Sequence, residues 1–348
     1  RDKENPFILK FSAKADPLPV LKGLNFNEKD AFIVEANEGN DSICYWIKDS
    51  LVYQMDTLAI QANYLYTDTL DQLVPKTDTL YLANKLTKEQ REKLKKQEKE
   101  KKEKERKKRV KKGEEMKPEP IPFLKMEVDA PNSFDINKNI GLSFDEPVVR
   151  IDTSAILMSI KEDTLWVEKP FLLVPDSVLP RRYEILAEWQ PEKEYQLKID
   201  SAAIVGLYGL HTQKGEKTVK VKSLEEYGTL LLNVPGVGEN AIVELLDNGG
   251  KVLRQQRVTS DGTADFYYLE PKGKYYVRLF IDRNGNGKWD TGNVEKRIQA
   301  EEVYSFPKAW EMKANFEFEE TWNIYEVPAD KQKLDEIKKQ KPEEAKKV

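Results

Sequence analysis

Between Leu86 and Met116 the chain changes character so completely that no single hydrophobic core can run through it. Residues 88–112 hold 15 basic and 6 acidic side chains, a net charge of +9 that leaves −13 on the rest of the chain. Thr87 followed three residues later by Gln90 is a capping-box signature, and Gly113 supplies a stop. The helix predicted between them is about 25 residues long, roughly 37 Å at ~1.5 Å per residue. Only Leu94 and Val110 within it are aliphatic, so it has neither a core-facing stripe nor a heptad seam. Glu/Lys pairs at helical spacing hold it in solvent. Separate β domains are therefore predicted before and after it.

Both sides read as all-β. In residues 1–85 the predicted strands are 7–11, 31–36, 42–47, 57–66 and 77–82, with turns at Glu38 and at Asp68. Apolar and polar positions alternate along residues 58–66, LAIQANYLY, as a half-buried antiparallel strand requires. Residues 119–223 contain seven runs, at 123–128, 139–144, 156–160, 164–173, 183–189, 194–199 and 217–221, the count of an immunoglobulin-like sandwich. Residues 224–324 form a third β unit, with strands at 228–234 and 241–247, a hairpin turn at Asn248-Gly-Gly, a return strand at 251–258, a central pair at 266–269 and 275–281, and a closing strand at 313–318. Residues 325–348 are a charged tail and residues 86–118 a charged helical linker. A length of 348 residues agrees with two or three domains of ~100–150 residues each.

The third unit carries the one ligand-like spacing in the chain. Residues 275–292, YYVRLFIDRNGNGKWDTG, run from an alternating strand into a turn of Asp, Asn and Gly. Asp282, Asn284, Asn286 and Asp290 occupy positions 1, 3, 5 and 9 of a calcium-type loop, with Gly287 at the sharp bend. Lys288 would offer its backbone carbonyl. Position 12 is Asn293 rather than the bidentate Glu, which makes Glu295 the substitute ligand. With two neutral amides in the set, calcium affinity would be weak, about 10⁻⁴–10⁻³ M. The alternative is a hairpin turn whose Asp and Asn side chains bond local backbone amides.

Scarcity excludes several chemistries. One cysteine, Cys44, cannot make an internal disulfide, and one histidine, His211, leaves no Cys/His zinc set and little room for histidine-dependent catalysis. Cys44, in ICYWI, reads as a small buried hydrophobe, and His211 as a loop residue. Trp166 and Trp189 read as core or cross-strand anchors, while Trp289 and Trp310 are the surface aromatics that a carbohydrate- or ligand-binding module would use. The basic run lacks interleaved aromatics and the rest of the chain is acidic, which argues against nucleic acid. An anionic lipid surface or an acidic partner suits it better. No stretch is long and apolar enough to span a membrane. A first residue of Arg, not Met, fits a processed or truncated chain whose signal peptide or lipid anchor lay on the missing part.

Three stretches together carry a family resemblance: Ile140-Gly-Leu-Ser-Phe-Asp-Glu-Pro-Val-Val, then Tyr195-Gln-Leu-Lys-Ile-Asp with Gly206-Leu-Tyr-Gly, then Tyr276-Val-Arg-Leu followed by Ile281-Asp-Arg-Asn-Gly-Asn-Gly-Lys-Trp-Asp-Thr-Gly. In this order they resemble the Ig-like-domain lipoproteins of the Bacteroidota, whose bacterial Ig-like domains are similar to those of surface-layer proteins. The third unit is also similar to prealbumin-like modules. The resemblance implies tandem Ig-like and prealbumin-like β-sandwiches with one long charged helical insertion. It also implies a non-enzymatic envelope lipoprotein, anchored at the outer membrane on its periplasmic or its surface face, that acts as a scaffold or interaction subunit of a membrane assembly.

Overall fold

The computed structural model describes residues 5–37, 39–70, 72–85, 122–294 and 297–332, together with 90, 92–94, 96–97 and 100. Those of the described residues that lie between 90 and 100 are helical; the remainder of the predicted helix, and the tail beyond Gln332, lie outside the described residues. The other regular elements among the described residues are β strands, apart from the short helix Ser50–Gln54 and three 3-10 turns. The chain divides into two compact units. The first is Arg1–Phe134 with Lys138–Glu188 and Glu194–Lys220; the second is Val221–Val348 with the short segments Asp135–Asn137 and Trp189–Lys193.

The first unit contains two pairs of sheets. In the N-terminal pair, Ser42–Ile47 lies between Phe7–Lys10 and Phe32–Ala36, all antiparallel. The facing sheet centres on Thr57–Thr67, flanked by Val20–Gly23 and Leu73–Ala83. Leu58 and Ile60, at alternate positions, point into a core with Ala31, Ile47 and Val52, lined by Phe7, Leu21, Phe26 and Phe32. The hairpin turn after Thr67 is made by Asp68, whose Oδ1 accepts from the amides of Leu70 (2.8 Å) and Gln72 (2.9 Å). Two short elements went unanticipated: the strand Val20–Gly23, and the helix Ser50–Gln54, which Asp49 caps by accepting from Leu51 and Val52 N–H.

The second pair of sheets is larger. One sheet runs Leu165–Glu168, Ile156–Glu162, Glu194–Ile199, Gly215–Val221, Ser133–Phe134; the other runs Leu172–Pro175, Arg182–Leu186, Ile140–Phe144, Met126–Asp129. Alternate residues from the two buried faces, among them Leu142, Ile185, Met158 and Leu197, fill the space between. The sequence predicts one strand over 164–173, but the structure breaks it into Leu165–Glu168 and Leu172–Pro175, which belong to different sheets. Pro170 sits at the break, where it can neither donate to a ladder nor continue one. Val148–Ile151 and Ile204–Gly206 form a further two-stranded ribbon that the sequence reading missed. His211, expected in an open loop, bridges to Val205, and its ring packs on Phe123 at 5.5 Å.

The second unit is a sandwich of a three-stranded and a larger sheet around a core that includes Leu230, Leu232, Val243, Leu245, Phe266, Val277, Leu279, Phe306 and Trp310. Gly228–Asn233 lies between Phe266–Leu269, antiparallel, and Glu317–Thr321, parallel. The larger sheet runs Val252–Arg257, Ala241–Leu246, Lys274–Ile281, Val303–Ser305, with Trp310–Glu311 also pairing with Lys274–Ile281. The predicted central pair, 266–269 with 275–281, is therefore not a pair: the two strands lie in opposite sheets. The closing strand falls at Glu317–Thr321 instead of 313–318. Alternation places residues on faces, but it does not choose between neighbours in one sheet and neighbours across a core. The turn at Asn248 forms as read, with Asp247 Oδ1 accepting from Gly249 and Lys251 N–H and Gly250 at φ +77°.

Candidate functional site

Lys274–Ile281 delivers the chain into the Asp/Asn loop with Asp282 already buried at its base. The Asp282 carboxylate organises everything above it. Its Oδ1 accepts from Gly285 N–H (2.8 Å) and Asn286 N–H (3.1 Å); its Oδ2 accepts from Gly287 N–H (3.0 Å) and from Arg257 Nη2 (2.9 Å). Gly285 and Gly287 both adopt φ +74°, the conformation that lets successive amides turn toward one carboxylate. Burial opposes the charged form of Asp282, but the Gly287 amide, Arg257 and the Gly285 amide outweigh it, and the pKa is lowered.

The rest of the loop closes on itself. Asn284 Nδ2 (2.5 Å) and Asn286 Nδ2 (2.7 Å) both donate to Asp290 Oδ2. Asn284 Oδ1 accepts from Asn286 N–H, and Asn286 Oδ1 from Lys288 N–H. Glu301, on the neighbouring segment, clamps both ends: its Oε1 takes Arg283 N–H (2.8 Å) and its Oε2 takes Asp290 N–H (3.0 Å). Trp289, 41% exposed, is anchored by Nε1 to the Glu301 carbonyl oxygen at 3.1 Å.

The structure thus brings Asp282, Asn284, Asn286 and Asp290 together, places Lys288 in the same loop, and leaves Glu295 outside the described residues. In this conformation side-chain oxygens of Asp282, Asn284, Asn286 and Asp290 accept N–H donors. Calcium ligation would require the Asn284 and Asn286 amides to turn their oxygens toward Asp290. Among the described residues no group of three or more His, Cys, Asp or Glu side chains is gathered as a metal site. Two partners of the loop, Arg257 and Glu301, were invisible in the sequence, because they lie 25 and 19 positions away from Asp282 and no spacing rule reaches them.

A second constellation joins the two sheet pairs of the first unit. Arg181 Nε and Nη2 each lie 2.8 Å from one oxygen of Glu35, a bidentate pair, and Arg181 Nη1 donates to the Phe144 carbonyl oxygen at 3.2 Å. The guanidinium lies over the Trp46 ring at 5.4 Å, and Trp46 Nε1 donates to Glu35 Oε2 at 3.2 Å. Tyr208 stacks on Tyr53 at 5.1 Å and leans on Trp46 at 6.4 Å. Glu35 is 7% exposed. Its burial raises the pKa, but Arg181, by hydrogen bonds and charge, and Trp46 lower it further, so it stays ionised. Cys44 pairs with Glu35 across the strands; burial and then the Glu35 charge push its thiol pKa up, which holds it in the unreactive protonated form.

Elsewhere the buried carboxylates of the second unit are also matched to cations or amides: Glu244 to Arg278 and Gln255, Asp135 to Lys222 and the Tyr227 hydroxyl. The tryptophans separate by role. Trp189 and Trp310 are buried, the latter against Phe306 at 4.4 Å, while Trp166 lies on an edge strand under Lys161. Trp310 is therefore no surface aromatic.

No protein-family model and no curated protein matches the chain. Among solved structures, the N-terminal part of the bacterial S-layer protein SbsC is 14% identical over 48% of this chain and 42% of that one, with a TM-score of 0.26. The Bacillus anthracis TIE protein is 11% identical over 88% of this chain and 51% of that one, with a TM-score of 0.19. BcpA, the major pilin subunit of Bacillus cereus, is 9% identical over 92% and 99%, with a TM-score of 0.20. The chain spans less than two thirds of the first two. TM-scores at this level leave the function to be argued from the chain's own residues.

Proposed function

We propose that this chain is a non-enzymatic scaffold of the cell envelope. In this reading it is an Ig-like-domain lipoprotein of the Bacteroidota type, held at the outer membrane by an N-terminal lipid anchor and attached to a membrane assembly. The observation that carries the non-catalytic part is the state of its carboxylates. Glu35, Asp78, Asp152, Asp176, Glu194 and Asp282 all have lowered pKa values. Each of these six is held ionised by hydrogen bonds or neighbouring charges, the work of a structural fastener. The buried charges hold strands and loops together. The basic run 88–112 is the proposed contact for an acidic partner or anionic headgroups. Among the described residues no helix is long and apolar enough to cross a membrane.

Gentle-detergent affinity purification of the tagged full-length protein from its native membranes, read by mass spectrometry, tests the proposal. Stoichiometric recovery of an outer-membrane component is the expected result. Recovery of the protein alone would turn attention to a free-standing ligand module, for which the exposed Trp289 is the anchor and glycan binding the next assay.

A further inference from the structure

The strand Phe266–Leu269 breaks the alternation of its sheet. Phe266 and Leu269 are buried while Tyr267 and Tyr268 are both exposed, although neighbours on a regular strand point to opposite faces. The backbone makes the exception. Tyr268 adopts φ +58°, and the register slips between Gly228 and Leu230 on the facing strand, a bulge that re-aims a side chain. A bulky residue in the left-handed region persists only where its surroundings impose it, and such strain gathers at binding sites. Here Tyr227, buried, meets Tyr268 edge-on at 5.7 Å, and Arg254 lies over Phe266 at 5.7 Å while donating to the Tyr267 carbonyl oxygen. The two exposed rings lie 6.4 Å apart, inclined by 53°.

The same outward face is acidic. By register, Thr229 lies opposite Glu317 and Leu231 opposite Glu319, with Leu230 and Leu232 turned to the core. Asp265 Oδ2 accepts from the Tyr267 hydroxyl at 3.2 Å. The charge of Asp265, its hydrogen bond, and the charge of Glu317 together raise the Tyr267 pKa, which marks a negative field at that ring. Among the described residues no Lys or Arg forms an ion pair with Asp265, Glu317 or Glu319. Two open aromatic faces beside three carboxylates without ion pairs recognise a cation, by ring quadrupole and by charge. The chain itself holds the complement, since residues 88–112 carry +9 against −13 on the remainder.

We propose that this face docks the basic segment 88–112 of a second copy of the chain, with Lys and Arg side chains laid on Tyr267 and Tyr268 and paired with Asp265, Glu317 and Glu319. The proposal rests on the scaffold reading and names a partner for its basic run. Each copy carries both halves, so a dimer makes the contact twice.

Sedimentation equilibrium of the intact protein in 50 mM and 500 mM salt tests it. A dimer is expected at low salt that weakens about tenfold or more at high salt, where the screening length is several-fold shorter. A Glu317→Gln/Glu319→Gln double variant, a Tyr267→Ser/Tyr268→Ser variant, and a variant with Gln at Lys99, Lys101, Lys102, Lys104 and Lys107 should each lose the low-salt dimer. Mixing the first with the third should restore a heterodimer, because one intact face then meets one intact basic segment; that recovery also shows both variants to be folded. A chain that stays monomeric at 50 mM salt overturns the proposal, as does a dimer indifferent to the Glu317 and Glu319 changes, or a face that takes up an oligosaccharide while the chain stays monomeric. Envelope partners that still co-purify with the Glu317→Gln/Glu319→Gln variant would leave the scaffold reading standing on its own.

Discussion

Glu35 and Asp282 solve the same problem, a carboxylate carried out of water, with different partners. Glu35 depends on one cation. Replacing Arg181 by Ala leaves it facing only Trp46 Nε1, so unfolding in denaturant should show a loss of about 2–3 kcal/mol, the low end for a broken buried pair because Arg181 is part-exposed. The pH dependence has a fixed sign. The folded Glu35 pKa lies below its ordinary 4.5, so its stabilisation is present above that value and fades as pH falls through the lower folded value. The Arg181→Ala protein should therefore lose less of its melting temperature than the parent between neutrality and acid. Asp282 depends mainly on backbone amides. Asp282→Asn should speed hydrogen exchange at Gly285, Asn286 and Gly287, read by mass spectrometry, while the strand before them stays protected. Because these donors already satisfy the loop, we expect the melting midpoint to be the same in millimolar calcium and in chelator; a rise of several degrees with calcium would establish the ion as a ligand of Asp282, Asn284, Asn286 and Asp290.

Among the elements, the strands of the second unit carry its stability. Leu279 is fully buried in the Lys274–Ile281 strand, so Leu279→Ala should cost about 2–5 kcal/mol by thermal or urea unfolding. At Gly228 the limit is space: a Cβ there would lie 2.2 Å from Met312 Sδ and 2.7 Å from the Lys313 carbonyl oxygen, so Gly228→Ala should destabilise by roughly 1–3 kcal/mol. Strand positions were legible because alternation is local; the buried face of Lys274–Ile281 stands where the pattern puts it. Pairing was not. Nothing in the residues of 266–269 says that they join Gly228–Asn233 rather than the strand that follows them, and one strand was read through 164–173, across Pro170, where the chain changes sheets. The calcium-type spacing was legible as a loop, but Arg257 and Glu301, which hold it, arrive from other strands.

For the molecule as a whole, charge is distributed by segment. If the basic run engages an acidic surface, neutralising Lys99, Lys101, Lys102, Lys104 and Lys107 should weaken association with the co-purified partner to the degree that added salt does, and an interaction indifferent to both would discard that contact. The sequence by itself determined that the chain is all-β, that a strongly basic segment interrupts it, that its one cysteine makes no internal disulfide and its one histidine no Cys/His zinc set, and where several tight turns fall. These follow from the two-residue period of strands, from the need of Asp, Asn and Gly at turns, and from composition, all of which act over a few residues. Only the tertiary structure decided which strands share a sheet, that Glu35 meets Arg181 across 146 positions, and that Tyr267 and Tyr268 face outward side by side. Those outcomes depend on register, on the closing of a shared core and on a backbone slip at one residue, and no local pattern encodes them.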